Sequence, residues 1–441
     1  MTDTVASAGT VLPSQQVFYA RCVADPELGL AIRHWNGGLR FEAVADGCAE
    51  VVGFSVSDGL ISDKVPQPGP GVISVVGSTP LWQPLTEAVP APFMQLSVLV
   101  NMGGDGLDSS ATDPMLWWQY LPATERASEL LRAPGGTRAP RRQERSASTS
   151  DSPVGGYIHI DLETAEGTFD HRIYYETAGQ GIPLLLQHTA GSHSLQWRHL
   201  FEMPAITDHF QLIAYDLPFH GKSIPPVDQR WWEHEYKLEG ALLRQIPVAI
   251  AATLDLEHPV FMGCSVGGLL ALDLALHHAD LFSAVISLEG GLHIGGNRDA
   301  LTGFWHPQVS NQSKARLMEA LCSPTSPEAY VKEVSQVYSA GWPPAFLGDL
   351  YYYMVDFDLT ERATEIDTQQ VAVHILSGAY DFSGSIAHGA AAHEAIAGST
   401  HTIMPDMGHF PMQENPVAFA EYLQPVLDQI TGHIANNSIV P

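Results

Sequence analysis

From residue 157 onward, short apolar runs alternate with helical stretches, and this alternation most restricts the fold. Tyr157–Leu162 and Arg172–Glu176 read as an opening antiparallel pair. Pro183–His188, Gln211–Asp216, Pro259–Met262, Ser283–Leu288, Val371–Leu376 and His401–Met404 follow as strands. Runs that stay apolar along their length are buried on both faces. They therefore imply an α/β fold with a mostly parallel sheet covered by helices on either side. Such sheets bind ligands beyond the carboxyl ends of their strands. The interval 292–360 breaks the alternation with helical, aromatic sequence, so we expect a cap insertion over that end.

The first 132 residues differ. Leu39–Val44, Glu50–Val56 and Gly71–Gly77 read as strands, with Gly37-Gly38, Asp46-Gly47 and Asp58-Gly59 as turns. Trp82, Trp117 and Trp118 fall in helical sequence. This is a smaller α+β accessory domain with no catalytic constellation of its own. Residues 133–156 are rich in Gly, Pro, Ser and Arg, cannot bury an apolar face, and read as a linker. Arg138, Arg141, Arg142 and Arg145 form its basic cluster. A larger α/β domain is then expected over 157–431.

Composition excludes several partners. A formal charge of -28 opposes binding to nucleic acid or to anionic membranes through a basic patch. The N-terminus lacks the basic and apolar regions of a secretory signal. No stretch reaches the roughly 18 apolar residues of a membrane span. The four cysteines are scattered without a Cys-x-x-Cys pair, which fits a reducing cytoplasm. The 20 histidines show no metal-ligand spacing, so no metal and no cofactor are expected. Homo-oligomerisation is left open.

Gly263-Cys264-Ser265-Val266-Gly267 lies between the run at 259–262 and a helical pattern from Gly268. Strand, sharp turn and helix is the setting in which Gly-x-Ser-x-Gly exposes a serine hydroxyl at a helix N-terminus. Ser377-Gly378-Ala379-Tyr380-Asp381 and Asp406-Met407-Gly408-His409-Phe410-Pro411 follow in that order.

On these motifs the chain resembles the α/β-hydrolase fold superfamily over about residues 155–431. The resemblance implies a nucleophile–acid–histidine order, here Ser265, Asp381 and His409. Serine needs a base to take its proton, which His409 supplies, and Asp381 would hold the imidazole. Glu289 stands where some members of the superfamily place the acid. Asp406 lies on the wrong side of a tight turn. The oxyanion hole is expected from the backbone N–H of Val266 and of Ala190, with Thr189 as fallback, because Thr189 replaces the glycine usual in His-Gly-x. His188 orients that loop or touches substrate. Tyr215–Ser223 resembles the turn that shapes the site wall.

Of the aromatic residues in the insertion, Trp305, Trp342 and Tyr353 are candidate substrate contacts, since ligand pockets are largely apolar. The implied activity is a serine carboxylesterase acting through an acyl-enzyme on a small hydrophobic ester. Lactone, thioester, amide and carbon–carbon bond hydrolysis use the same machinery. A non-catalytic ligand-binding relative is the alternative of another class.

Overall fold

The computed structural model describes residues 10–45, 48–101, 106–111, 113–132 and 152–437. The turn at Asp46-Gly47 and positions 133–151 of the expected linker, including its four arginines, lie outside the described residues. The chain divides into two units, Met1–Thr137 with His306–Ala320, and Arg138–Trp305 with Leu321–Pro441.

The first unit is α+β. Its strands are β1 (Gly37–Ala45), β2 (Cys48–Ser57), β3 (Leu60–Ser62), β4 (Val72–Ser78) and β5 (Asp108–Ala111), in the order β3-β2-β1-β4-β5. The Asp58-Gly59 turn appears as expected, with φ of 50° and 75° at its two residues. Gly37-Gly38 is not a turn but the start of β1. A side chain at Gly37 would collide with the Gly71 carbonyl, so these glycines permit close strand approach. Phe18, Phe41, Phe54 and Trp82 fill the core. The helix Asn311–Ala320 belongs to this unit although it lies within the interval read as cap. Its buried Arg316 pairs with Glu129 at 2.6 Å and Glu27 at 3.3 Å, and the Ser313 hydroxyl donates to the Trp118 carbonyl at 2.6 Å.

The second unit carries eight strands: β6 (Val154–Thr164), β7 (Gly167–Gly179), β8 (Ile182–Gln187), β9 (Phe210–Tyr215), β10 (Val260–Cys264), β11 (Ala284–Leu288), β12 (Ala372–Gly378) and β13 (Thr400–Met404). Their order is β13-β12-β11-β10-β8-β9-β7-β6, with β6 and β7 antiparallel and β8 to β13 parallel to one another. Positions 154–156 are strand rather than linker. Gly155 and Gly156 pair with Glu176 and Tyr175, and a side chain at Gly155 would overlap the Tyr174 phenol. β10 and β11 are buried at every position, which explains their continuous apolar sequence. Among the described residues no helix is long and apolar enough to cross a membrane.

Every chemically interesting loop leaves the carboxyl end of a parallel strand. Gln187 ends β8 and His188 follows it, Asp216 follows β9, Ser265 follows β10, Glu289 follows β11 and Asp381 follows β12. His409 lies on the loop after β13. A parallel sheet thus gathers residues scattered over more than half of the sequence. The helices Glu328–Ala340 and Pro343–Tyr351, and a π turn at Tyr352–Asp356, pack against these loops.

Candidate active site

Ser265 sits at φ 59°, ψ −112° between β10 and the helix Val266–His277. Such a conformation is strained for a residue with a side chain. Its N–H donates to the Leu288 carbonyl and its carbonyl accepts from the Leu269 N–H, both at 2.9 Å. Neighbouring glycines make the turn sterically possible. A side chain at Gly267 would come within 2.8 Å of Gln187 Cγ, and one at Gly268 would overlap the Leu288 carbonyl. The following helix is buried from Val266 to Ala275, so its positive end is fixed beneath the serine.

His409 Nδ1 lies 2.8 Å from Asp381 Oδ2, and both side chains are buried. Asp381 also accepts the N–H of Ser383 at 2.8 Å and of Gly384 at 2.9 Å. It does not cap the next helix, Ile386–Ala395, whose N-cap is Ser385. The His409 N–H donates to the Leu321 carbonyl at 3.0 Å, and its carbonyl accepts the Cys264 thiol at 3.2 Å. The histidine loop is therefore tied to the residue preceding Ser265. Among the described contacts no hydrogen bond joins Ser265 and His409 directly; in unliganded enzymes such bonds are often long and tighten on binding.

Two further carboxyls, Glu289 and Glu414, stand behind this pair. Both Glu289 oxygens accept the Gly378 N–H, at 2.9 and 2.8 Å. Burial, and then the neighbouring Asp381 charge, push Glu289 well above the usual carboxyl range. Glu414 accepts the N–H of Gly408 at 2.5 Å and of Ser323 at 3.2 Å, bracing the turn that presents His409. Asp406 accepts from the Tyr422 hydroxyl at 2.8 Å, engaged away from His409.

The loop after β8 separates the oxyanion candidates. The Thr189 N–H donates to Gln196 Oε1 at 3.0 Å, so the fallback donor is already engaged. The Gly191 N–H donates to Asp349 Oδ2 at 2.7 Å. Among the described residues the Ala190 N–H has no acceptor, and the Val266 N–H, at the first turn of its helix, has no intrahelical one. A threonine is tolerated at 189 because the positive φ of this loop, 66°, falls at Gly191 instead. The Thr189 hydroxyl bonds to Tyr338 and to Gln196.

His188 is fully buried. Its Nδ1–H donates to the Thr189 carbonyl at 2.8 Å and its Nε2 accepts the Leu217 N–H at 3.1 Å. Burial first, then the neighbouring His220, pushes it down to about 3, which keeps the imidazole neutral. With both nitrogens engaged it orients the loop and is not a substrate contact.

Asp349 is a residue that sequence reasoning missed. Besides Gly191 it accepts from the Tyr236 hydroxyl at 3.0 Å and from His220 Nε2 at 2.8 Å. His220 Nδ1 faces the Pro218 carbonyl at 2.9 Å, so both ring nitrogens need protons. Burial opposes charging His220, but the Asp349 carboxylate outweighs it and raises the histidine above its ordinary value. A buried ion pair thus anchors the loop that bears Ala190. Its only sequence trace is Pro218-Phe219-His220-Gly221 and one of the several acids of the cap interval. Asp216 ties down the rest of the wall by accepting from the Ser194 and Lys222 N–H groups, each at 2.7 Å.

The aromatic candidates part company. The Tyr353 hydroxyl is 2.9 Å from Ser383 Oγ. Burial, then the Asp381 charge, raises its phenol, while the Ser383 and Ser265 hydroxyls beside it act in the other direction. Tyr353 therefore adjoins Ser265. Trp342 packs instead with Phe219, Trp231 and Tyr236. Trp305 is 49% exposed, with no ring or side-chain hydrogen-bond contact to the site among the described residues.

A family model described as alpha/beta hydrolase fold matches residues 182–416, more than half of the chain. The chain belongs to the α/β-hydrolase fold family. The pimeloyl-[acyl-carrier protein] methyl ester esterase of Vibrio cholerae is 30% identical over 150 residues, 32% of this α/β hydrolase and 51% of that relative. The match thus spans about half of the relative's length. An uncharacterized protein of Mycobacterium tuberculosis is 24% identical over 290 residues, 61% of the chain and 81% of that protein. Among solved structures, an esterase from Exiguobacterium antarcticum superposes with a TM-score of 0.52 at 18% identity, covering 62% of this chain and all (100%) of that one. A hydrolase from Pseudomonas aeruginosa gives 0.51 at 21%, with 61% and 98% covered. At such identities the structures speak to the fold alone.

Proposed function

We propose that this α/β hydrolase is a serine esterase that cleaves carboxylic esters of small hydrophobic molecules through an acyl-enzyme. The observation that carries the reading is the Asp381–His409 pair at 2.8 Å, tied through Cys264 to a strained serine elbow. Ser265 Oγ attacks the acyl carbon while His409 Nε2 takes its proton; Asp381 stabilises the imidazolium that forms. Val266 and Ala190 donate their N–H groups to the developing oxyanion. His409 then returns the proton to the leaving alcohol, and water repeats the sequence to release the acid. This chemistry uses no cofactor or metal. The name of the Vibrio cholerae relative, a methyl ester esterase, supports an ester as the bond cleaved. Tyr353 brings a phenol hydroxyl beside Ser265, a polar group within reach of the reacting centre.

The test is a panel of p-nitrophenyl esters of increasing acyl length, with Ser265→Ala as control. Turnover that falls on the order of 10⁶-fold in kcat in the variant is expected. Inert esters together with turnover of a vinylogous diketone would move the assignment to carbon–carbon bond hydrolysis. Ligand binding that survives Ser265→Ala, without turnover of any substrate, would make the protein a binding module.

A further inference from the structure

The second unit contains a cavity of about 490 Å³ that none of Ser265, Asp381 or His409 lines. One wall is a packed group of four rings, Phe219, Trp231, Tyr236 and Trp342, with centroids 5.2 to 5.9 Å apart. The facing side comes from the β6–β7 turn and from the start of the helix Gly240–Thr253. It is acidic. Glu166 pairs with His234 at 3.1 Å, and Glu235 with Arg298 at 2.7 Å and Lys237 at 3.7 Å. Glu163 and Glu239 have no cationic partner among the described residues.

His171 of β7 also lines this cavity. It is 1% exposed, and neither ring nitrogen has a hydrogen-bond partner among the described residues. Burial pushes it down to about 4, so the ring is neutral and presents one free acceptor. A buried polar group without a partner is destabilising, and the catalytic reading makes no use of this one. An N–H donor brought by a ligand would pair with the unprotonated nitrogen.

We propose that this cavity is a second binding site, separate from Ser265, for a small organic ammonium with an aromatic or apolar body. The rings supply an apolar and cation-attracting face. The unpaired carboxylates supply the counter-charge, and an ammonium N–H supplies what His171 lacks. A chain of net charge -28 attracts such cations over longer range.

Phenethylammonium, titrated against the full-length protein, is the probe. Tryptophan fluorescence reports on Trp231 and Trp342, and calorimetry gives the affinity. Saturable binding is expected in wild type and, unchanged, in Ser265→Ala. Neutral 2-phenylethanol, of similar shape, should bind at least tenfold more weakly. His171→Leu removes two unpaired nitrogens from a buried position; it should unfold at the same or higher temperature yet bind at least tenfold more weakly. The exposed pair Glu163→Gln with Glu239→Gln should weaken binding several-fold, more so at low salt, and keeps the test open if the first variant folds poorly. Absence of saturable binding, equal affinity for the alcohol, full binding by either variant, or loss of binding in Ser265→Ala would overturn the proposal.

Discussion

Replacing Asp349 by Asn should cripple turnover without touching any group that meets the substrate. Asn can keep every contact sterically: its oxygen can accept from Gly191 and His220, and its amide can donate to the Tyr236 hydroxyl. What disappears is the charge. His220 then either stays charged without a counter-ion or gives up a proton and turns a lone pair toward the Pro218 carbonyl 2.9 Å away. Breaking a buried pair by removing one charge costs about 3–5 kcal/mol. The 2.7 Å charge-assisted bond to the Gly191 N–H also weakens, and with it the aim of the adjacent Ala190 N–H. Loss of one oxyanion donor lowers kcat by about 10²–10³-fold.

The assay is kcat and KM on a p-nitrophenyl ester well below the variant's melting temperature, beside thermal unfolding. We expect kcat to fall about 10²-fold with KM little changed, and Tm to drop. The stability difference should also depend on pH. Because the folded-state value of His220 is raised, the pair's contribution is complete below about 6.5 and is lost as pH rises through that higher value. The gap between wild type and variant should narrow in alkali. A lowered Tm with wild-type kcat would refute the positioning argument and leave Asp349 as a cap-to-loop brace. An unchanged Tm would deny the ion pair itself.

Three other outcomes follow from the same geometry. Glu289→Gln should leave kcat within a few-fold of wild type, since an amide mimics a protonated carboxyl, whereas Asp381→Asn should lose about 10⁴-fold; the reverse ranking in steady-state kinetics would make Glu289 the working acid. Gly268→Ala should abolish soluble folded protein, judged by circular dichroism, because its methyl would overlap the Leu288 carbonyl; a folded, active variant would refute the elbow packing. In acid, His188, held down to about 3, contributes stability that is present above its unfolded value of about 6.5 and is lost as pH falls toward 3. At 1.36 kcal/mol per unit this approaches about 5 kcal/mol. His171 and His374, both pushed down to about 4 by burial, act in the same direction. Histidine NMR at pH 5 should still find neutral rings, and fully protonated histidines in the folded protein would contradict the buried tautomer of His188.

The fold was legible because buried parallel strands must be apolar throughout, and such runs stand out against helical periodicity. The serine turn was legible for a related reason: glycines at 263, 267 and 268 are demanded by backbone contact. What escaped was long-range pairing of single polar residues. Asp349 lies 158 residues from Gly191, and nothing in its local sequence, Phe-Leu-Gly-Asp-Leu-Tyr, marks it as the anchor of a distant loop. Local composition misled at Trp342, whose aromatic neighbourhood proved to be the wall of a different cavity. It misled again at 306–320, where helical sequence inside the expected cap packs into the first unit through Arg316 and Ser313. Thr189 looked like a departure from a glycine requirement, yet the requirement itself had moved to Gly191.

The donors around the buried carboxyls bear on which of them serves as the acid in the proposed mechanism. Asp381, Glu289 and Glu414 all act on the buried Cys264 thiol, which they and its own burial hold well above its usual value. Three anions in so small a volume would repel strongly, and burial raises both glutamates. Asp381 differs in its partners. Two backbone N–H groups and an imidazole point at it, and all three bond to an anion. Among the described residues Glu289 meets one N–H, that of Gly378, and a neighbouring carboxyl, to which a proton on Glu289 could donate. Asp381 is thus the carboxyl best provided with donors for an anion, and it is the one that bonds to His409, where a negative charge would favour the imidazolium formed during attack. Strand position allows either β11 or β12 to supply the acid; the larger number of donors at Asp381 favours β12 in the proposed mechanism.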